Sequence, residues 1–257
     1  MDTGIKERLF YEIEDNWENF TRTPIIDQKV HTISEMIPPG VQSLLDIGCG
    51  NGLITNCLAD SFKITGLDWS LPALRYVSAS TICGSVTSLP MKPGRFDMIL
   101  CSELLEHLVD EDFKAAIEEI RRLDIRYLLV SVPNNENTHI NELICPVCQE
   151  IFNASHHYRG FTLENLSSCF RGYQLRESRV GGPGVRSYPM PLLRLRQRLG
   201  RRWFQVPTGR TVICPKCENK AFPRSHRTPL SFICDGLNRL ISRRHPYWLY
   251  ALYEIAP

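Results

Sequence analysis

The sequence predicts an α/β fold: a mostly parallel sheet with helices on both faces, preceded by helices and carrying an insertion rich in Gly, Pro and Arg. Three observations lead there. Short apolar runs alternate with segments of helical spacing, and strands separated by helices of that length pair in parallel. The first of these runs ends in glycines that open a helix, the place where such sheets bind ligands. The 257 residues, 43% hydrophobic and 23% charged, suffice for one large core with additions and exclude a disordered or collagen-like chain.

In chain order, Leu9, Phe10, Ile13, Trp17, Phe20, Ile25, Ile26, Val30, Ile33, Met36 and Ile37 fall at broadly helical spacing until Pro38, Pro39 and Gly40 stop the segment. Residues 1–40 are read as N-terminal lid helices. Strands are expected at 43–47, 62–68, 81–83, 96–101 and 127–132, and helices at 53–59, 71–78 and 110–123. Past Pro133 the pattern changes to the loop chemistry of Asn134, Asn135, Glu136 and Asn137, then a cysteine pair and a helix at 161–170. Residues 181–229 are dominated by Gly, Pro and Arg, and 247–253 read as a closing strand. The core is therefore expected to comprise 41–180 and 246–257, with 181–245 as an appended basic lobe.

No apolar run reaches the roughly 18–20 residues of a membrane span, and residues 1–8 lack the basic-then-apolar layout of a signal peptide. The expected location is the cytoplasm, where ten cysteines in a reducing medium point to metal rather than disulfides. The net charge of +2 hides an asymmetry: 13 Lys/Arg face 24 Asp/Glu in residues 1–170, against 17 and 4 in 171–257. A basic half suits an anionic surface, a phosphate-bearing substrate or nucleic acid; it also simply neutralises the acidic half.

The run Leu44, Leu45, Asp46, Ile47, Gly48, Cys49, Gly50, Asn51, Gly52 is a buried strand entering a glycine turn. Its spacing is Gly-x-Gly-x-Gly, and Leu53 stands where a nicotinamide dinucleotide fingerprint needs a sixth-position glycine. Asp68, 22 residues after Asp46 at the end of the second strand, offers a carboxylate that accepts two hydrogen bonds from a ribose diol. With LLDIGCGNG, ITGLDWS, CGSVTSLP, FDMILCSELLEHL and YLLVSVPNNEN in this order, residues 8–180 resemble the class I S-adenosylmethionine-dependent methyltransferases.

That resemblance implies a Rossmann-like seven-stranded sheet and an S-adenosylmethionine site. Asp46, Gly48, Gly50, Asn51 and Gly52 would lie against methionine and ribose, Asp68 would hold the ribose hydroxyls, and Trp69 would lie beside adenine. Ser85 and Val86 would approach the adenine ring, with Ser102 and Glu103 near the cofactor at the end of the fourth strand. The family commonly has an acidic residue where this chain has Ser85, which leaves the adenine amine to backbone groups or to weaker recognition.

Cys145, Pro146, Val147, Cys148 and Cys214, Pro215, Lys216, Cys217 are two Cys-Pro-x-Cys knuckles, each preceded by an apolar pair. Two such turns complete a closed tetrahedral structural zinc site, which would staple the insertion to the core. A redox pair, or Cys145 and Cys148 completed by His156 or His157, fits the same residues. For the chemistry, methyl transfer needs alignment and, for a hydroxyl acceptor, removal of a proton. His107, after the fourth strand, and His157, before Tyr158-Arg159-Gly160-Phe161-Thr162, are the candidate bases, with His107 ranked first; a helix cap or a satisfied core imidazole is the plain reading of each.

Leu192, Leu193, Leu195, Leu199, Trp203 and Phe204 lie among Arg194, Arg196, Arg198, Arg201 and Arg202, a pattern for a helix in a membrane interface or along phosphates, or for a solvated arginine face. The expected function is O-methylation of a small or lipid-linked metabolite such as a glycan, polyketide or isoprenoid precursor, by an enzyme peripheral to the anionic inner membrane surface. An RNA methyltransferase using the basic zinc lobe is the alternative. Against it, the fourth strand continues as Cys101-Ser102-Glu103-Leu104 and has no Asn-Pro-Pro-Tyr type motif.

Overall fold

In the computed structural model, which describes residues 11–18, 21–207, 211–224 and 226–255 with the side chains of residues 15 and 16 excepted, seven strands form one sheet. They are β1 (Ser43–Ile47), β2 (Lys63–Asp68), β3 (Ser80–Cys83), β4 (Met98–Ser102), β5 (Tyr127–Pro133), β8 (Tyr173–Arg186) and β9 (Arg244–Ile255). A separate antiparallel pair holds β6 (Glu142–Ile144) and β7 (Ile151–Asn153). The spatial order is β3-β2-β1-β4-β5-β9-β8, parallel from β3 to β5 and antiparallel at β9 and β8. Central strands covered on both faces need apolar residues throughout, and β1, β4 and β5 are buried almost end to end.

One face of the sheet packs Leu45, Ile47, Ile99, Val130 and Val132 against α2 (Asp110–Arg122) and α3 (Leu163–Cys169). The other sets Leu44, Leu100 and Leu129 against α1 (Pro24–Met36). Thr23 caps α1 with its side chain and Pro24 fills the first turn, where a missing N–H costs nothing. α2 begins with Asp110, Glu111 and Asp112 and ends with Arg121 and Arg122, charges that complement the helix dipole at both ends.

Several elements differ from expectation. The helices after β1 and β2 shrink to Thr55–Leu58 and Leu71–Leu74. β8 was not foreseen: it is half-exposed and rich in Gly and charge, yet it pairs with β9 as far as Arg186↔Arg244, past the point where composition changes. The arginine-rich segment is helical at Met190–Arg194, continues as one π turn at Leu195–Leu199, and leaves Trp203 and Phe204 outside any helix and half-buried. Within it Leu193 and Gln197 are buried, and Arg196 turns inward to Asp235 at 2.7 Å. A further helix, α4 (Pro229–Ile241), closes the lobe before β9. Residues 1–10, 19 and 20 of the expected lid lie outside the described residues.

Candidate active site

The carboxyl ends of β1, β2 and β4 place three loops around a cleft of about 480 Å³. Its walls include Asp46, Gly48, Gly50, Asn51, Asp68, Trp69, Ser85, Val86, Ser102, Glu103, His107 and His157, which are all but one of the sequence-derived cofactor and catalytic candidates. Gly52 is the exception: it does not line the cleft, and a Cβ there would come within 3.0 Å of the Asn56 and Val77 side chains. Gly50 has φ +53°, and a Cβ there would come within 3.0 Å of the Trp17 ring, so the close lid contact demands glycine.

Asp68 knits the loops together. Its Oδ2 accepts from the Gly50 N–H and its Oδ1 from the Ser70 N–H, both at 2.9 Å. Burial nevertheless raises its pKa, outweighing the lowering by those backbone donors. Burial also pushes Asp46 up to about 6, against the lowering effect of Thr55, whose hydroxyl donates to it at 2.6 Å. The lid residues Tyr11 and Trp17 join the same network through their carbonyls, which accept from Ser70 Oγ at 2.7 Å and Asn51 Nδ2 at 2.9 Å.

The opposite end of the cleft holds the histidines. His107 ends the single 3-10 turn Leu105–His107 after β4, and His157 arrives on the loop after β7; their ring centroids are 4.6 Å apart. The two loops are fastened to each other. Tyr158 N–H donates to the Glu106 carbonyl at 2.8 Å, and the Arg159 guanidinium reaches the Leu105 and Leu108 carbonyls and Asp110. Gly160 lets the strand-end loop of β5 pass close by, since a Cβ there would fall 2.3 Å from the Glu136 carbonyl oxygen. Glu136 in turn meets His157 Nδ1 at 2.5 Å, with both side chains under 10% exposed.

Three site residues escaped the sequence reading. Lys29 is 2% exposed, pairs with Glu103 at 3.0 Å and sits over the Trp248 ring. A signal existed: Lys29 falls in step with Ile33 and Met36 on the buried face of α1. Glu136 had none, since a carboxylate in an asparagine-rich loop reads as solvated. Trp248, read only as part of the closing strand, lines the cleft and donates its Nε1 proton to Glu103.

Where the lobe meets the segment after β6, the four knuckle cysteines converge. Cys145 Sγ lies 3.5 Å from Cys217 Sγ, Cys148 Sγ lies 3.6 Å from Cys214 Sγ, and all four sulfurs fall within 4.8 Å of one another. The knuckles are copies of one turn. In each, the first cysteine's N–H donates five residues ahead, to Glu150 or Asn219, and its carbonyl accepts from the residue four ahead, Gln149 or Glu218, which has φ near +60°. Tetrahedral zinc with Zn–S near 2.3 Å needs sulfurs about 3.8 Å apart, so the donor set fits that ion.

Residues 45–124 match the family profile described as "Methyltransferase domain". An uncharacterised protein of Methanocaldococcus jannaschii is 36% identical over 113 residues, 43% of this chain and 45% of that protein. The ubiquinone biosynthesis O-methyltransferase of Albidiferax ferrireducens is 29% identical over 94 residues, 32% of this chain and 37% of that enzyme. The aligned segments thus span less than half the length of either relative. Residues 45–124 carry a methyltransferase domain. The fold likeness runs further than the sequence likeness. A 1,6-didemethyltoxoflavin-N1-methyltransferase of Burkholderia thailandensis, solved with bound 1,6-didemethyltoxoflavin and S-adenosylhomocysteine, superposes with a TM-score of 0.56 at 15% identity, covering 98% of this chain and 88% of that one. The profile match itself runs from β1 to just past α2. No helix among the described residues is long and apolar enough to cross a membrane.

Proposed function

We propose that this chain transfers the methyl group of S-adenosylmethionine to an oxygen of a small or lipid-linked metabolite. The observation that carries the reading is the cleft itself: a glycine turn and the Asp68 carboxylate at one end, a histidine pair at the other, joined in one volume. Asp68 would hold the ribose hydroxyls, Trp69 would lie beside adenine, Ser85 and Val86 would border the ring, and Asp46, Gly48, Gly50 and Asn51 would face methionine and ribose. The cofactor supplies a methyl group already activated by its sulfonium. What the protein adds is alignment and help in removing the acceptor's proton, and His107 and His157 stand where that help is needed. Oxygen as the acceptor atom is supported by the ubiquinone O-methyltransferase relatives.

A lipid-linked acceptor at an anionic membrane surface is supported by α4. That helix exposes Phe232, Ile233, Leu237, Leu240 and Ile241, between 45% and 83% accessible, and buries Ser231, Cys234 and Asn238. Residues 194–245 around it carry 13 Lys/Arg and 2 Asp/Glu. An apolar face rimmed by cations fits a headgroup boundary better than an RNA backbone, which offers no apolar partner to isoleucine and leucine. The four cysteines would hold a structural zinc that orders this lobe.

The cofactor reading is tested at Asp68. Asp68→Ala removes charge-assisted hydrogen bonds worth about 1.5 to 3 kcal/mol, so affinity for S-adenosylhomocysteine should fall roughly ten- to a hundredfold in calorimetry. Unchanged affinity would remove the ribose assignment.

A further inference from the structure

Glu106 lies at the junction of the two histidine loops. It is 0% exposed, and neither carboxylate oxygen has a hydrogen-bond partner among the described residues. A carboxylate so buried is costly in either state unless something satisfies it. One oxygen of Glu106 and one ring nitrogen each of His107 and His157 lie within 4.8 Å of one another. Two imidazoles and a carboxylate converging from adjacent loops make a ligand set for a divalent transition metal.

The surroundings are built as such a site requires. His157 presents Nδ1 to the Glu136 carboxylate, which leaves Nε2 for a ligand and fixes the ring; carboxylate–histidine pairs of this kind orient metal-bound imidazoles. Glu136 is itself nine-tenths buried and within 3.5 Å of Asn141 Nδ2. The Tyr158 and Arg159 contacts to the Leu105–Leu108 turn lock the two ligand-bearing loops in register before any ion arrives. Near the triad, Lys29 is engaged with Glu103, and among the described residues no lysine or arginine bridges Glu106 or Glu136. His107 and His157 both line the cleft, so coordination positions beyond the three protein ligands face its interior. Closed structural sites lack that opening, and the four-cysteine cluster on the lobe is of the closed kind.

We propose that Glu106, His107 and His157 bind a divalent transition-metal ion at the acceptor end of the cleft, and that this ion takes the acceptor's hydroxyl oxygen as a further ligand. The inference rests on reading the cleft as the methyl-transfer site. Coordination lowers the pKa of the bound hydroxyl; its O–H bond breaks, the proton leaves to solvent, and the oxygen keeps the electron pair with which it attacks. The two histidines then serve the chemistry as ligands, with the ion doing what a free imidazole base would otherwise do.

Manganese is the probe, because a hard ion that favours oxygen and imidazole leaves the thiolate cluster alone. The full chain is titrated with Mn²⁺ and the free-ion electron paramagnetic resonance signal is followed, with S-adenosylhomocysteine affinity measured on the same samples. Wild type is expected to bind one Mn²⁺ at this site. Glu106→Gln and His157→Ala should each weaken it at least tenfold, and Glu136→Gln by roughly ten- to a hundredfold, while S-adenosylhomocysteine affinity stays within twofold. Glu106→Gln keeps the side-chain shape and removes a buried charge, so it is suited to fold; His157→Ala carries the test if it does not. Wild type that takes up no Mn²⁺, or variants that bind it as well as wild type, overturn the proposal. Failure of wild type to bind S-adenosylhomocysteine would instead sink the methyltransferase reading, so the two failures are told apart.

Discussion

α2 and α4 are both helices of thirteen residues, and they are turned opposite ways. α2 buries Ala116, Ile117 and Ile120 against the sheet and shows charge to water, so its orientation follows from its own apolar stripe. α4 buries Ser231, Cys234 and Asn238 and turns its large apolar side chains outward. Its seat is polar: Asp235 is held by Arg196 at 2.7 Å and Tyr188 at 3.2 Å, and Thr228 forms a capping box with Ser231 and donates to the Gly200 carbonyl. A helix fixed through its polar side leaves its apolar face for a surface outside the chain. The sheet is held by burial, whereas the lobe adds ion pairs, caps and four converging sulfurs to a small core.

The largest test of that contrast is removal of the sulfur cluster. Beyond it, the lobe's core is small: buried Leu143, Ala154 and Val212 with Phe152, Phe204, Val206 and Phe222 packed around. Structural zinc contributes about 10 to 16 kcal/mol of apparent binding free energy, more than such a core supplies. Cys145→Ser should abolish stoichiometric zinc and open residues 187–243 to trypsin while the sheet resists. Retention of one zinc per chain together with full protection would show that the knuckles are not one site.

In the sheet the same logic predicts a smaller, ordinary loss. Ile120→Ala empties a fully buried position on α2 and should cost about 2 to 5 kcal/mol in urea denaturation. A loss below about 0.5 kcal/mol, the range of surface sites, would mean that α2 does not hold its place by burial.

Two carboxylates sharpen the comparison. On α4 the half-buried Asp235 is paired with arginine, whereas the buried Asp46 of the cleft accepts from the Thr55 hydroxyl. Native Asp46 keeps its proton up to about pH 6, while the unfolded chain releases it near 4. Between those values the native state binds more protons, so this contribution to stability is full below about pH 4 and lost as pH rises through 6. Asp46→Asn abolishes that loss. The variant's stability relative to wild type should climb across pH 4 to 6 by up to about 3 kcal/mol, and a difference flat with pH would contradict the burial of a strained carboxylate.

Much of this could be read in advance where local pattern and tertiary role coincide. β1, β4 and β5 are apolar because both their faces are covered, and the glycine turn declares itself by spacing. The cysteine knuckles are repeated turns whose chemistry is local, and the structure brings their sulfurs together. The pattern fails where a residue's meaning depends on a distant partner. Glu106 precedes His107 in the chain, and nothing around it in sequence says that its carboxylate is sealed from water. β8 was hidden by an edge strand's mixture of glycine and charge, and only its pairing with β9 makes it a strand. For Leu192–Phe204 the pattern leaves open a helix in a membrane interface or along phosphates and a solvated arginine face; Leu193 is buried and Trp203 half-buried, and the outward apolar surface belongs chiefly to α4.

The smallest effect on stability is expected at Leu240, 83% exposed on α4. If its neighbours in the folded chain are water, Leu240→Ser changes urea stability by no more than about 0.5 kcal/mol, in contrast to Ile120→Ala. If the face meets lipid, the same substitution forfeits burial of a leucine in the interface, worth about 1.5 kcal/mol or more, and partitioning onto phosphatidylglycerol vesicles should drop about tenfold. Raising salt should weaken vesicle binding further by screening the arginine rim, without removing the leucine-dependent part. RNA would answer differently: affinity should fall with a log-log salt slope of about −0.7 per phosphate contact on single strands, and be indifferent to Leu240→Ser. Tight, salt-steep RNA binding with no vesicle association would overturn the lipid-linked reading and leave α4 as a helix whose apolar face serves another partner.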